Sequence, residues 1–99
     1  MLNSLKMAKD ILDLQREAKK LEKQMKKITA EAESKDGLVR VKASAAGDVL
    51  AIEIDDSLLN PESKQRLQKD IIEAIQKALK NAQKAAANSL MGQIGLGLG

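Results

Sequence analysis

The residues best suited to chemistry in this chain are the cations of its first 28 residues. Six of them recur at spacings of three, four or seven residues, with only Asp13 interrupting the line: Lys6, Lys9, Arg16, Lys20, Lys23 and Lys27. On an α-helix this spacing gathers side chains on one face. Because a fixed row of cations attracts polyanions, the pattern indicates phosphate binding rather than catalysis.

The residue inventory argues against an enzyme. The chain has no His and no Cys, so the commonest metal ligand and general base, the thiol nucleophile and thiolate zinc ligands are all missing. Asp55 and Asp56 directly follow an alternating strand pattern. A turn therefore explains these two acidic residues more simply than an active site does. Gly37 and Gly47 also belong to turns, because no GxxxxGK[ST] pattern occurs. We therefore expect no catalytic residue, no cofactor, no metal and no small-molecule substrate.

A first helix must present the cations, and the pattern places it from about Asn3 or Ser4, either of which can cap it, to about Ile28. On an adjoining face, apolar residues step by four and three: Met7, Ile11, Leu14, Ala18, Leu21, Met25 and Ile28. This is the a/d seam of a heptad, which needs a partner helix. A 99-residue chain without aromatic residues also has little core of its own. We therefore expect an obligate homodimer with these dimerisation residues: Met7, Ile11, Leu14, Leu21 and Met25.

The rest of the chain predicts a small sheet and a second helix. Three alternating stretches, at about 29–33, 39–45 and 50–54, are separated by turn signals at Asp36-Gly37 and Gly47-Asp48. Asn60-Pro61-Glu62 then predicts a helix start, and the apolar face that follows should cover the sheet. The fold class predicted is α+β with the order α-β-β-β-α, comprising one domain at residues 1–90 and a mobile Gly-rich tail at 91–99.

Charge is segregated along the chain. Residues 1–28 carry a net charge of +4, residues 29–61 carry −4 and residues 62–99 carry +3. A polyanion would therefore be drawn to the helices and repelled by the middle of the chain. No stretch approaches the roughly 20 apolar residues of a membrane span, and the N-terminus lacks the apolar region of a signal peptide. We expect a cytoplasmic protein with no membrane partner.

Double-stranded DNA is the polyanion that fits best. The chain has no Phe, Tyr or Trp on which unpaired bases could stack. A helix of roughly 25 residues is about 38 Å long, close to one turn of B-DNA at about 34 Å. Since no Asn/Gln/Arg cluster opens a recognition helix, we expect mainly phosphate contacts and weak sequence preference.

Several stretches resemble the YbaB/EbfC family of bacterial nucleoid-associated proteins. They are Gly37-Leu38-Val39-Arg40-Val41, Gly47, Ile52-Glu53-Ile54-Asp55-Asp56-Ser57-Leu58-Leu59, and Leu67 with Asp70-Ile71-Ile72 on the second helix. The resemblance covers about residues 3–90. It implies a tweezer-like homodimer whose helices project from a central sheet and which binds double-stranded DNA in the nucleoid. The family pattern would place an Asn near Lys77 and a longer, often Pro-containing tail, so tail functions do not carry over.

The predicted phosphate contacts are Lys6, Lys9, Arg16, Lys19, Lys20, Lys23, Lys80 and Lys84, and further candidates are Lys26, Lys27 and Lys77 where they clear the sheet. Two alternatives stay open. The cationic stripes can be ordinary solvated faces held by pairs four residues apart. The protein can also be a prefoldin-like chaperone or a coiled-coil scaffold that holds other proteins without binding DNA. The dependence of binding on salt concentration separates a DNA-binding protein from a scaffold. Binding to phosphates weakens as salt is raised, whereas apolar binding of a client protein does not.

Overall fold

The structure, a computed structural model, describes residues 2–93 of the chain. Its elements are helix α1 (Leu2–Lys27), strands β1 (Thr29–Glu33), β2 (Val39–Ser44) and β3 (Val49–Ile54), two 3-10 turns (Asp56–Leu58 and Pro61–Ser63) and helix α2 (Lys64–Gln93). The predicted α-β-β-β-α order is confirmed.

The strands form an antiparallel meander in the order β1-β2-β3. Ala32 pairs with Val41, which pairs on its other side with Ile52, so the apolar residues of the three strands share one face. The hairpin turns place Gly37 at φ 73° and Gly47 at φ 93°. Side chains disfavour this left-handed region, which explains why both turns carry glycine.

Helix α2 packs on the apolar face of the sheet over β1 and β2. Its Ala74 and Ala78 are fully buried against Val39 and Val41. The small alanine side chains let the helix lie close to the strands, where volume must be filled at high density. Leu58, from the first 3-10 turn, joins the same core and is 1% exposed. The core therefore consists of small and branched aliphatic residues, as expected for a chain with no aromatics.

Strand β3 is an uncovered edge of the sheet. Val49, Leu50 and Ile52 are all exposed, because α2 contacts β1 and β2 instead. β3 pairs only with β2, so its outer side presents unpaired backbone groups. The sheet thus has one edge that is both apolar and lined by unpaired backbone donors and acceptors.

The start of α2 matches the prediction closely. The side-chain Oδ1 of Asn60 accepts a hydrogen bond from the Ser63 backbone N–H at 2.9 Å, and Pro61 takes the first position of the turn. That first turn is 3-10 and runs directly into the α-helix at Lys64. Proline has no N–H to leave unpaired there, so it fits this position well.

Two predicted helix ends are wrong. Helix α1 begins at Leu2, so Asn3 and Ser4 lie within the helix and neither is its N-cap. Helix α2 extends to Gln93, three residues into the predicted tail. A single glycine, Gly92, in the last turn costs only about 1 kcal/mol relative to alanine, which a long helix tolerates. The rest of the predicted tail, residues 94–99, lies outside the described residues.

Helix α1 projects away from the body of the molecule, which is formed by the sheet, the two 3-10 turns and α2. Every residue from 4 to 24 is exposed, and only Met25 and Ile28 are half-buried where the chain enters the sheet. Leu14, in the middle of the predicted seam, is 69% exposed. An isolated helix is marginally stable in water and gains most of its stability by burying an apolar face. No other element within residues 2–93 provides that burial for residues 4–24 of α1.

Candidate nucleic-acid interface

Helix α1 carries six of the eight predicted phosphate-binding residues on one continuous element: Lys6, Lys9, Arg16, Lys19, Lys20 and Lys23. Its 26 residues span about 39 Å at 1.5 Å per residue. All six side chains are exposed, and none forms an ion pair within residues 2–93. The helix therefore presents unneutralised positive charge over a length close to one turn of B-DNA.

The cations and the apolar seam occupy opposite sides of α1, not adjoining faces as the sequence analysis expected. One residue advances a helix by about 100°, so Leu14 and Arg16 point about 200° apart. Lys9 and Ile11 are separated in the same way. A partner that covered the seam would leave the cationic side free.

Helix α2 contributes two further exposed cations, Lys80 and Lys84, which form no ion pair in the described part of the chain. Lys77, the third candidate on this helix, is used differently. Its Nζ lies 3.1 Å from Glu73 Oε1 and donates to the backbone carbonyl of Glu33 at 3.4 Å. Lys77 therefore links α2 to β1.

Three other cations differ in their contacts and exposure. The Nη2 atom of Arg66 lies 2.9 Å from Asp36 Oδ2, so this side chain links α2 to the β1–β2 turn. Lys26 pairs with Glu22 on its own helix at 3.6 Å. Lys27 is exposed at the last residue of α1. On α2, Arg66 and Lys77 thus make contacts within the fold, whereas Lys80 and Lys84 form no ion pair in the described part of the chain.

A pair of carboxyl groups fastens the β1–β2 turn to α2. The Ser34 hydroxyl donates to Asp36 Oδ1 at 2.6 Å, and Asp70, 7% exposed, reaches the same turn from α2. The hydrogen bonds from Ser34 and Asp70 lower the pKa of Asp36, whereas the hydrogen bond to Asp36 and burial raise the pKa of Asp70. Their closeness therefore favours the ionised form of Asp36 and the protonated form of Asp70.

Glu73 makes a second link between this turn and α2. It accepts a hydrogen bond from the Lys35 backbone N–H at 2.6 Å and another from Lys77. These two bonds, that of Lys77 first, lower the pKa of Glu73. Neither link was predicted from the sequence. The only available signal was that Asp70 and Glu73 interrupt the apolar face of a helix that must cover a sheet.

The outer face of the sheet is unsuited to phosphate. Glu33, Arg40 and Glu53 form one cross-strand row, in which Arg40 donates to Glu33 and has a raised pKa because of that hydrogen bond and charge. Asp55 and Asp56 follow at the end of β3. Acids outnumber cations over this surface, so it would repel a polyanion.

A shallow groove of about 420 Å³ lies between α1 and the β2–β3 turn, lined by Ala18, Leu21, Glu22, Met25, Lys26, Ala46 and Asp48. Three of these residues belong to the seam of α1. The groove therefore continues the apolar side of this helix as far as the β2–β3 turn. Within residues 2–93, no group of His, Cys, Asp and Glu side chains is arranged to hold a metal ion. No helix in that range is long and apolar enough to cross a membrane.

These features define a class of protein: a small α+β body with a projecting helical arm whose two sides are cationic and apolar. The profile of the YbaB/EbfC DNA-binding family matches residues 1–98. A nucleoid-associated protein of Campylobacter concisus is 38% identical over 90 residues, covering 91% of this chain and 85% of the relative. Another from Clostridium novyi is 33% identical over 88 residues, covering 82% and 77%. The chain belongs to the YbaB/EbfC DNA-binding family.

A solved structure shows the same fold. The crystal structure of an uncharacterised protein from Helicobacter pylori matches with a TM-score of 0.65 at 24% identity, covering 89% of this chain and 92% of that one. Family membership confirms the resemblance drawn from the sequence. The family is one of DNA-binding proteins, not of enzymes.

Proposed function

We propose that this chain is a cytoplasmic, nucleoid-associated protein that binds double-stranded DNA as a homodimer, mainly through phosphate contacts and with weak sequence preference. The contacts are made by Lys6, Lys9, Arg16, Lys19, Lys20, Lys23, Lys80 and Lys84. The observation that carries the proposal is that the six predicted contacts on α1 are exposed and that none of the six forms an ion pair in the described part of the chain. Membership of a DNA-binding family favours DNA as the polyanion, and the relatives' names favour the nucleoid.

The homodimer is supported by the apolar side of the arm. Met7, Ile11, Leu14 and Leu21 are exposed, and Met25 is half-buried. A second copy of α1 would cover this seam by knobs-into-holes packing. Because the cations lie opposite the seam, such pairing leaves the cationic side of each arm available to DNA. The exposed β3 edge offers additional surface to the same partner.

A protein-binding scaffold is the rival function. It is favoured by the first turns of α1, where Leu5, Met7 and Ile11 are all exposed. Exposed apolar residues at this end are expected of a helix that binds an apolar surface of a client protein. A client held by apolar contact would tolerate high salt. DNA held through phosphates would not, because each contact releases counterions, and the binding constant falls with salt at a slope of about 0.9 per phosphate in log–log form.

A mobility-shift titration on duplex DNA at several salt concentrations tests the proposal. The variant Lys20→Glu, Lys23→Glu should bind more weakly than wild type, and its salt slope should be smaller by about 1.8 for each arm that loses two contacts. The matched control is Lys64→Glu, Lys69→Glu, which makes the same change in net charge at exposed positions of α2 outside the proposed interface.

Three results would contradict the proposal. The first is no binding of wild type at low salt, and the second is binding that salt does not weaken. The third is an equal loss in the test and control variants, because it would mean that net charge alone governs binding and that the cationic side of α1 has no special role.

A further inference from the structure

A second line of residues runs along α1, two positions out of register with the seam. It steps by four and three without a break: Leu5, Lys9, Leu12, Arg16, Lys19, Lys23 and Lys26. Two positions correspond to about 200° of rotation, so this line lies on the side opposite the seam. Its first turns combine two leucines with cations, whereas its last four positions are all cationic.

The two leucines are uncovered. Leu5 is 75% exposed and Leu12 is 54% exposed. Pairing of the arms through the seam would not cover them, because they project on the other side of the helix. Lys9 lies between them on the line, and Arg16 follows one turn beyond Leu12. An ordinary solvated face does not need two leucines at this spacing, whereas a face that enters an apolar and anionic environment does.

We infer that Leu5 and Leu12 contact the C5-methyl groups of thymine in the major groove of duplex DNA, while Lys9 and Arg16 hold the flanking phosphates. The inference rests on the proposed function and extends it from phosphate contact to base contact. The major groove is wide enough to admit an α-helix, and the thymine methyl is the apolar group that it presents. DNA is chosen over an apolar protein partner because cations flank both leucines and attract phosphates.

The spacing fits the duplex. Leu5 and Leu12 are seven residues apart, which is about 10.5 Å along the helix. Successive base pairs are about 3.4 Å apart, so the two side chains match positions about three base pairs apart. A contact of this kind adds a modest preference for thymine to binding that is otherwise set by phosphates.

Replacing thymine with deoxyuridine tests the inference directly, since it removes the C5-methyl group and leaves base pairing unchanged. Wild-type protein should bind an A·T-rich duplex more tightly than its deoxyuridine counterpart, by about fourfold for each methyl group that is buried. The variant Leu5→Ala, Leu12→Ala should bind the two duplexes equally. Leu59→Ala, which truncates a comparably exposed leucine on the body, should keep the wild-type discrimination.

The outcomes separate this inference from the proposed function. Equal binding of both duplexes by wild type, with salt-sensitive binding intact, overturns the inference and leaves the proposed function standing. Discrimination that persists in the double variant also overturns it, because DNA shape would then be the cause. A smaller assembly of the double variant in sedimentation would show that another copy covers the leucines, again against the inference. Absence of salt-sensitive binding would instead reject the proposed function.

Discussion

Replacing Leu14 with alanine should weaken self-association without unfolding the protomer. Leu14 is 69% exposed, so its truncation removes no core contact, and alanine is the better helix former. Complete burial of a leucine side chain contributes about 1.5–3 kcal/mol. Scaled by the exposed fraction, counted for both copies and reduced for the methyl that alanine keeps, the loss is about 1–3 kcal/mol per dimer. The dimer should dissociate at about 5- to 150-fold higher concentration.

Sedimentation equilibrium over a wide concentration range measures this shift, with circular dichroism confirming that α1 stays helical. The matched control is Leu5→Ala, which makes the same substitution on the same helix at a more exposed residue on the opposite side. The control should associate like wild type. If Leu14→Ala and Leu5→Ala behave alike, or if wild type remains a single folded copy at every concentration, the seam is not the dimer interface and the arm must bind its ligands unpaired.

The remaining predictions concern the body. Because the pKa of Asp70 is raised in the folded state, its stabilising contribution is complete below the ordinary value of 3.8 and is lost as the pH rises through the raised value. Asp70→Asn cannot titrate at this position, so the urea midpoint of wild type should fall relative to that of the variant as the pH rises above 3.8, and a difference that does not change with pH would contradict the raised pKa of Asp70. Leu58→Ala should lower the free energy of unfolding by about 2–5 kcal/mol, since that side chain is 1% exposed in the core. The same denaturation experiment on Leu59→Ala, whose leucine is 60% exposed, should show less than about 0.5 kcal/mol, and equal losses would place Leu58 outside the core.

The order of the elements was predictable because its signals are local. Asp36-Gly37 marks a hairpin turn, and Asn60-Pro61 marks a helix start, whatever the rest of the chain does. The errors lie at helix ends, where one or two residues of helix cost little free energy. Neither Ser4 at the start of α1 nor Gly92 at the end of α2 supplies enough local preference to set the boundary.

Which cations make contacts within the fold and which remain exposed without an ion pair was not predictable from the sequence. Lys77 and Lys80 are three residues apart on one helix and look alike in the sequence. Lys77 nevertheless binds Glu73 and the backbone of Glu33, because that part of α2 crosses β1. Lys80 is exposed and forms no ion pair in the described region. A difference of this kind depends on a contact between residues that are distant in the chain.

By itself, the sequence determined the two sides of α1 and the segregation of charge. The direction of a side chain around a continuous helix depends only on residue number, so Leu14 and Arg16 must point apart wherever the helix lies. The tertiary structure alone decided that Asp70 meets Asp36, that β3 stays uncovered and that α1 stands clear of the body. Each of these depends on packing between segments that are distant in the chain, which no local pattern encodes.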